Sequence, residues 1–435
     1  MISGIRNENP HLLRRLKNFF VILTIAFAVL THLSNSCIIY PSLAIETFSI
    51  TVNENDSIQE AINNAPEGTT IYIEPGTYKE YQIIVNKTLT IIGRDKEKTI
   101  IDGGQETEAT ALFSIIASYV KIKNLTLINT RSDIGRAIIL KDVENVTIEN
   151  CIIFQNYIGI EINNSNNSKI TRNLIANNTF GIKLPNGALN VMAFNSLEDN
   201  KKGVSLDING KNNLLYNNNF KNDQNREGFG VTFNNWSCNY VIGGNYWNDY
   251  KGNDEKSGPN QDQYGSDGIG DNPYGNYSDE DAYPYMNKLK HFYIGIWGSK
   301  EFYVTISTNT SNITNIAFNS EQKEIKFTTE QNTTSYCRII IPKALLNAAD
   351  NEWTITTNQE NISPLIFSDT NFTCLYFAYK PETNQIVIKG TTAIPELQPT
   401  TLLILLFITT FLTIVTRKIL DKISPKASRT LFHKP

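Results

Sequence analysis

The residues best suited to do chemistry lie in an acidic stretch between Asp249 and Asp281. Asp267-Gly268-Ile269-Gly270-Asp271 sets two carboxylates four positions apart, with glycines that bend the backbone so that carbonyls can join them, a hard-oxygen donor set of the kind calcium takes. Asp249, Asp254 and Asp262 stand close enough in sequence to complete such a shell. The stretch is not an EF-hand: Gln263 and Gly265 occupy the positions of its first two acids, and no Glu closes the loop. The same residues also spell an acidic, solvated turn, so calcium and a plain turn both stay open. A second set lies upstream. Glu161 and Lys183 are one repeat apart, an acid in phase with a base, and Tyr157, Phe180 and Tyr216 offer rings that could stack on sugars. These five residues are the candidate ligand-binding set. Glu161 beside Lys183 reads as an ion pair sooner than a catalytic pair, and no catalytic residue is assigned.

These side chains need a scaffold, and the sequence repeats one. Gly159, Gly181 and Gly203 recur every 22 residues, each opening a short alternating apolar–polar run. In the same period run Asn156, Asn178, Asn200 and Asn222, then Asn129, Cys151, Asn173, Asn195 and Asn217, and an apolar column of Ile148, Ile170, Met192 and Leu214. A coil this short cannot bury its apolar side alone. Stacked coils can, with asparagine ladders satisfying the backbone at the corners. Residues 46–245 are therefore expected to form a parallel β-solenoid, with Cys151 standing in for a ladder asparagine as a small buried residue.

The start of that region, Asp56-Ser57-Ile58-Gln59-Glu60-Ala61-Ile62 followed by Pro75-Gly76-Thr77-Tyr78 and Leu89-Thr90-Ile91-Ile92-Gly93, resembles pectin-lyase-like right-handed parallel β-helix proteins. The repeats and Gly243-Gly244-Asn245-Tyr246-Trp247-Asn248-Asp249-Tyr250 are similar to NosD-like surface proteins of archaea. The resemblance implies a right-handed solenoid whose first coil is capped by a short helix, with Asp56 or Ser57 at its N-terminus. It does not imply one activity, because the fold carries lyases, hydrolases, binding modules and adhesins. A NosD label also implies copper. Soft copper sites need Met, Cys or His in clusters. With His11, His32 and His433 outside the folded region and only His291 within it, the donor set argues against copper.

The chain has 435 residues and a net charge of -4, with its basic residues scattered, which excludes an electrostatic nucleic-acid footprint. Residues 1–44 read as a signal peptide or a signal anchor. Residues 246–290 read as an acidic cap and 292–392 as a β-sandwich stalk, with strands at Phe302–Ile306, Ile325–Thr329, Cys337–Ile341, Trp353–Thr357, Cys374–Tyr379 and Gln385–Lys389. Whether Cys337 and Cys374 pair is left open by the spacing. Residues 400–416 are long and apolar enough for a transmembrane helix, and the basic tail 417–435 places its far end in the cytoplasm. The expected fold is all-β: a right-handed parallel β-helix, a β-sandwich and a C-terminal transmembrane helix. The expected function is that of a surface-anchored extracellular protein binding an extracellular polysaccharide or glycoprotein. A polysaccharide lyase or hydrolase, and a structural envelope or adhesion protein, are the rival readings.

Overall fold

The computed structural model describes residues 48–394, except 229–232, 277–278, 311, 331–332, 359 and 383–384. The leader read at 1–44, the apolar helix at 400–416 and the tail at 417–435 lie outside the described residues. Among the described residues no helix is long and apolar enough to cross a membrane.

The chain first winds a parallel β-solenoid of three sheets. Sheet 1 holds eight strands from Ser49–Val52 to Leu214–Tyr216, sheet 2 holds eight from Gly76–Tyr78 to Tyr246–Trp247, and sheet 3 holds seven from Ile83–Val85 to Gln224–Gly228. Each coil contributes one strand to each sheet. Most strands are three to six residues long, and inward positions such as Ile148, Ile170 and Met192 stack in register within one continuous core. Alternation does the sorting, since each second residue of a strand faces the core.

The first coil is covered by helix α1, Ile58–Asn64. Ser57 is its N-cap and accepts from Glu60 N at 3.2 Å, and Ile58 and Ile62 are buried against the coil. Glu80, reaching from the first full coil, accepts from Ile58 N at 2.8 Å and Gln59 N at 2.9 Å. Lys87 Nζ donates to the carbonyls of Asn63 and Ala65 at the other end. An anion at the N-terminus and a cation at the C-terminus fit the helix dipole.

Three asparagine ladders tie the coils. Asn156, Asn178, Asn200 and Asn222 form one, each backbone N–H and side-chain amide donating to the next Asn Oδ1 at 2.8–3.2 Å. A second runs from the N–H of Cys151 through Asn173 and Asn195, then shifts by 23 residues to Asn218 and on to Asn245. Asn217 and Asn129 are therefore corrected out of this ladder. The strand Lys202–Lys211 carries one extra residue, Asn186 pairing with Asn209, so the next columns of sheets 1 and 2 move by one and Met192 stacks on Leu215 rather than Leu214, while sheet 3 returns to a spacing of 22. On the other side, the coil before Cys151 is 26 residues long, since Ile152 pairs with Thr126. That puts Leu125 below Cys151 and leaves Asn129 at a corner with φ 60°. The third ladder, Ser168, Asn190, Asn213 and Asn234, is invisible to a strict 22-residue count because its later steps are 23 and 21.

The far end is closed by aromatic rings: Phe220, Trp247 and Tyr274 stack in sequence with centroids 4.3 and 4.2 Å apart, and Trp236 lies against the first two. After this cap come two antiparallel five-stranded sheets, which share a core of Phe302, Val304, Ile339 and Leu375 from one and Ile325, Phe327, Ile355 and Ile386 from the other. They make a β-sandwich over Leu289–Ala393. The strands containing Cys337 and Cys374 are neighbours, but Cys374 pairs with Ile340 and Cys337 with Phe377. Three positions of offset turn the two thiols to opposite faces, Cys337 into the sandwich core and Cys374 toward the cap, so both are free.

Candidate functional site

Sheet 3 brings together four of the five candidate ligand-binding residues. Its register places Ser114, Ile139, Glu161, Lys183, Ser205 and Glu227 in one column, with Arg136, Ile158, Phe180, Lys202 and Gln224 in another. Tyr157 meets Phe180 edge to face with centroids 5.6 Å apart, and the ammonium groups of Lys183 and Lys202 lie 5.5 and 5.1 Å from the Phe180 ring. Glu161 sits on the outer side yet is only 6% exposed, because Arg136 Nε donates to its Oε2 at 2.6 Å. Its expected partner Lys183 makes no ion pair with it among the described residues. Two coils on, Lys202 Nζ and Ser205 Oγ both donate to Glu227, whose carboxyl is held below its ordinary range chiefly by the Lys202 contact. The face is thus a ring pair bordered by ammonium groups and two fixed carboxylates. Its strands Phe180–Ala188 and Lys202–Lys211 are the longest of the solenoid.

Arg136 and Glu227, which complete this face, keep the 22-residue period, Arg136 pairing with Ile158 and Glu227 with Ser205, but the glycine column that marks the repeat stops short of both, with Ala137 and Asn225 in its place. The first lies in the coil before Gly159, and the second belongs to the last strand of the sheet. Glu161 and Glu227 do share a column, three coils apart. At about 4.8 Å per coil that separates their strands by roughly 14 Å, beyond the roughly 5–10 Å over which two carboxylates cooperate on a glycosidic bond.

The fifth residue, Tyr216, lies elsewhere. It ends a strand of sheet 1, packs edge to face on Phe194 with centroids 5.4 Å apart, and lines a cleft of about 620 Å³ between the solenoid and the sandwich. Burial pushes its hydroxyl up to about 12. His291 forms part of the same wall, its Nε2 3.2 Å from the Asn217 carbonyl and its Nδ1 3.0 Å from Thr305 Oγ1, and burial lowers its pKa to about 3.

The acidic stretch folds into a tight knot in which carboxylates receive N–H and O–H donors. Asp267 is fully buried. Its Oδ2 accepts from Tyr240 Oη, Gly258 N and Gln261 Nε2, and its Oδ1 accepts from Ile269 N. Asp254 accepts from Asp267 N and Gly268 N at 2.9 Å, Asp271 from Glu255 N and Lys256 N, and Asp249 from Asn225 Nδ2 and Tyr274 Oη. Asp262 is exposed. Burial raises the carboxyl of Asp254 to about 6. A further buried carboxylate, Asp281, ties the cap to the last coil: its Oδ2 accepts from Asn245 N at 2.7 Å and Trp247 Nε1 at 2.8 Å while Oδ1 accepts from Tyr283 N at 3.0 Å. No signal short of the cap's three-dimensional closure distinguishes it from its acidic neighbours. Among the described residues no group of three or more His, Cys, Asp or Glu is placed to hold a metal ion.

Fold and site together define a class: a three-sheet parallel β-solenoid with capped ends, an outward face of rings and charges, and an appended sandwich. Residues 62–252, most of the solenoid, match the family described as periplasmic copper-binding protein (NosD). Among solved structures, the chain is similar to pectate lyase Pel9A at 16% identity and a TM-score of 0.36, covering 44% of this chain and 62% of that one. It is similar to pectin methylesterase PemA from Erwinia chrysanthemi at 15% identity and a TM-score of 0.28, covering 46% and 70%. The chain thus spans less than two thirds of the pectate lyase, and these likenesses concern the fold alone. No curated protein matches the chain. Among the described residues most soft donors are not free to gather round a copper ion: Cys151 and Met192 lie in the solenoid core, Cys337 in the sandwich core and Cys374 between sandwich and cap, and both nitrogens of His291 are engaged, while Cys238 and Met286 are half-buried.

Proposed function

We propose that this protein binds an extended carbohydrate, or another extended polymer bearing hydroxyl groups, along the outer face of sheet 3. The observation that carries the reading is the Phe180 ring, packed by Tyr157 and bordered by Lys183 and Lys202, on a face whose equivalent positions repeat every coil. A ring face takes the C–H side of a sugar, ammonium and carboxylate groups take its hydroxyls, and a surface repeating at about 4.8 Å suits a chain molecule better than a compact one. The wide spacing of Glu161 and Glu227 supports binding over hydrolysis. Export and membrane attachment, with residues 1–44 and 400–416 as leader and anchor and the sandwich as stalk, belong to the same proposal. Protease protection of the tail in intact cells, with digestion of the solenoid, is its expected signature. The binding reading is tested on a glycan array with the intact protein and with Phe180→Ala and Lys183→Ala variants. Retained glycans that are lost in both variants support it. An array without hits, or hits indifferent to both substitutions, sinks it.

A further inference from the structure

We infer that the cleft between solenoid and sandwich is a second binding site, for an acidic sugar unit. Its solenoid wall is a corner column of three consecutive coils, Arg172, Phe194 and Asn217, all in the left-handed region at φ 58°, 62° and 53°. Tyr303 of the sandwich faces it, with the Arg172 guanidinium 4.1 Å from the ring centre. Two polar atoms of this wall are idle. Arg172 gives one nitrogen to Glu149 at 2.8 Å, but its Nε is buried and donates to nothing. Asn217, 1% exposed, has a buried Oδ1 that accepts from nothing. Buried polar groups are normally paired, so two orphans of opposite sense in one cleft call for a group that both accepts and donates. A sugar unit carries several hydroxyls and can do both, one accepting from Arg172 Nε and another donating to Asn217 Oδ1 two coils away.

The rest of the lining fixes the class further. Phe194, Tyr216 and Tyr303 are rings against which a pyranose can lie. Arg172 is matched by Glu149, and the remaining charges of the lining are the ammonium groups of Lys300 and Lys343 against one carboxylate, Glu301, which already accepts from Tyr303 Oη at 2.9 Å. The surplus is positive, so the sugar carries an acid. A volume of about 620 Å³ holds a mono- or disaccharide and not a long chain. This site is separate from the sheet 3 face and does not rest on the function proposed for it.

Titration calorimetry of the full chain with D-glucuronate, D-glucose and inorganic phosphate tests the site. Glucuronate is expected to bind at least tenfold more tightly than either of the others. Asn217→Asp, which keeps a residue that tolerates the left-handed corner but sets a negative charge beside the ligand, is expected to weaken glucuronate at least tenfold, and so is Lys343→Met. Melting curves of the variants report their folding, and either folded variant decides the matter if the other fails to fold. No glucuronate binding, equal binding of phosphate, or unchanged affinity in a folded variant overturns the assignment.

Discussion

Arg338 Nη1 donates to the main-chain carbonyl of Asp267 at 3.0 Å, across 71 residues of sequence, and neither residue has any solvent exposure. Arg338 belongs to the central sandwich strand Ser335–Pro342, and Asp267 to the solenoid cap. The guanidinium also donates to Tyr240 O at 2.7 Å and lies over the rings of Tyr240 and Phe367. The Asp267 carboxylate turns away into its own loop, so the cation is matched by carbonyls, rings and a nearby buried anion rather than by a direct ion pair. Removing it leaves two buried carbonyls and an uncompensated carboxylate. Arg338→Met is therefore expected to cost about 3–5 kcal/mol. Arg338→Lys should cost less but still a substantial part, since an ammonium cannot span two carbonyls in one plane. Urea denaturation measures both, and limited proteolysis of the Met variant should cut first near the junction of cap and sandwich. A loss under about 1 kcal/mol for the Met variant would show that Arg338 does not pin the two parts together.

Asn177 and Asn178 are adjacent and identical in type, yet have opposite duties. Asn178 is buried. Its Oδ1 accepts from Asn156, and its Nδ2 donates to the carbonyls of Ile153 and Ala176 and to Asn200. Asn177 is exposed and holds a left-handed corner at φ 53°. Asn178→Ala strands several buried partners and is expected to cost about 2–4 kcal/mol. Asn177→Ala pays only for a left-handed backbone, about 1 kcal/mol. Thermal unfolding of the two variants side by side gives the comparison, and equal losses would mean that the ladder contributes no more than the corner.

The solenoid was legible because its constraint is periodic: residues that stack must recur, and Gly159, Gly181 and Gly203 do so in sequence as in space. A Cβ on Gly181 would come within 2.6 Å of the Gly203 carbonyl, so the column tolerates no side chain. Asn129 and Asn217 keep the 22-residue spacing yet lie outside the ladder, the first because the coil before Cys151 is 26 residues long and the second because Lys202–Lys211 carries one added residue, and neither change shows in a local run of sequence. The sandwich strands announced themselves by alternation: five of the six expected runs lie wholly within strands, and in the sixth Trp353 precedes the strand Thr354–Thr357. The docking of sandwich on cap left no trace, because Arg338 sits in an apolar strand where a lone charge does not declare its partner. Of the candidate ligand residues, Tyr157, Glu161, Phe180 and Lys183 gathered on one face because they share a coil phase, whereas Tyr216 belongs to a different sheet.

His291 makes stability depend on pH. Its folded-state pKa of about 3 lies below the ordinary value of 6.5, mainly because burial disfavours the imidazolium. Between these values the unfolded chain binds the proton and the folded one does not. The stabilisation is thus complete above about pH 6.5 and is lost as pH falls toward 3. Since the residue keeps some exposure, a loss of about 1–2 kcal/mol by pH 4.5 is expected. Asp254 and Asp281 work in the opposite sense: burial raises them to about 6 and about 7, so their contribution declines as pH rises from about 4 to 7. His291→Gln should flatten the acid side of the melting-temperature profile and leave the decline from the carboxylates. An unchanged acid side would assign the effect to other groups.

The five aspartates singled out for calcium make a final prediction. A cation needs carboxylate lone pairs aimed at a common point. In the cap, Asp267 gives Oδ2 to three donors and Oδ1 to a fourth, Asp254 gives one oxygen each to the N–H groups of Asp267 and Gly268, and Asp271 is bound by the N–H groups of Glu255 and Lys256. Placing an ion here would mean withdrawing these oxygens from their N–H and O–H donors, of which Gly258 N and Gln261 Nε2 have a second acceptor, in Tyr240 Oη and Gly258 O respectively. The knot is thus expected to be held by its own hydrogen bonds, with melting midpoints in millimolar calcium and in chelator agreeing within about 1 °C. Asp267→Asn should lower the midpoint by several degrees in both, since an amide cannot accept at every position the carboxylate fills. A calcium-dependent rise of several degrees, abolished in Asp267→Asn, would instead show that the loop rearranges around an ion.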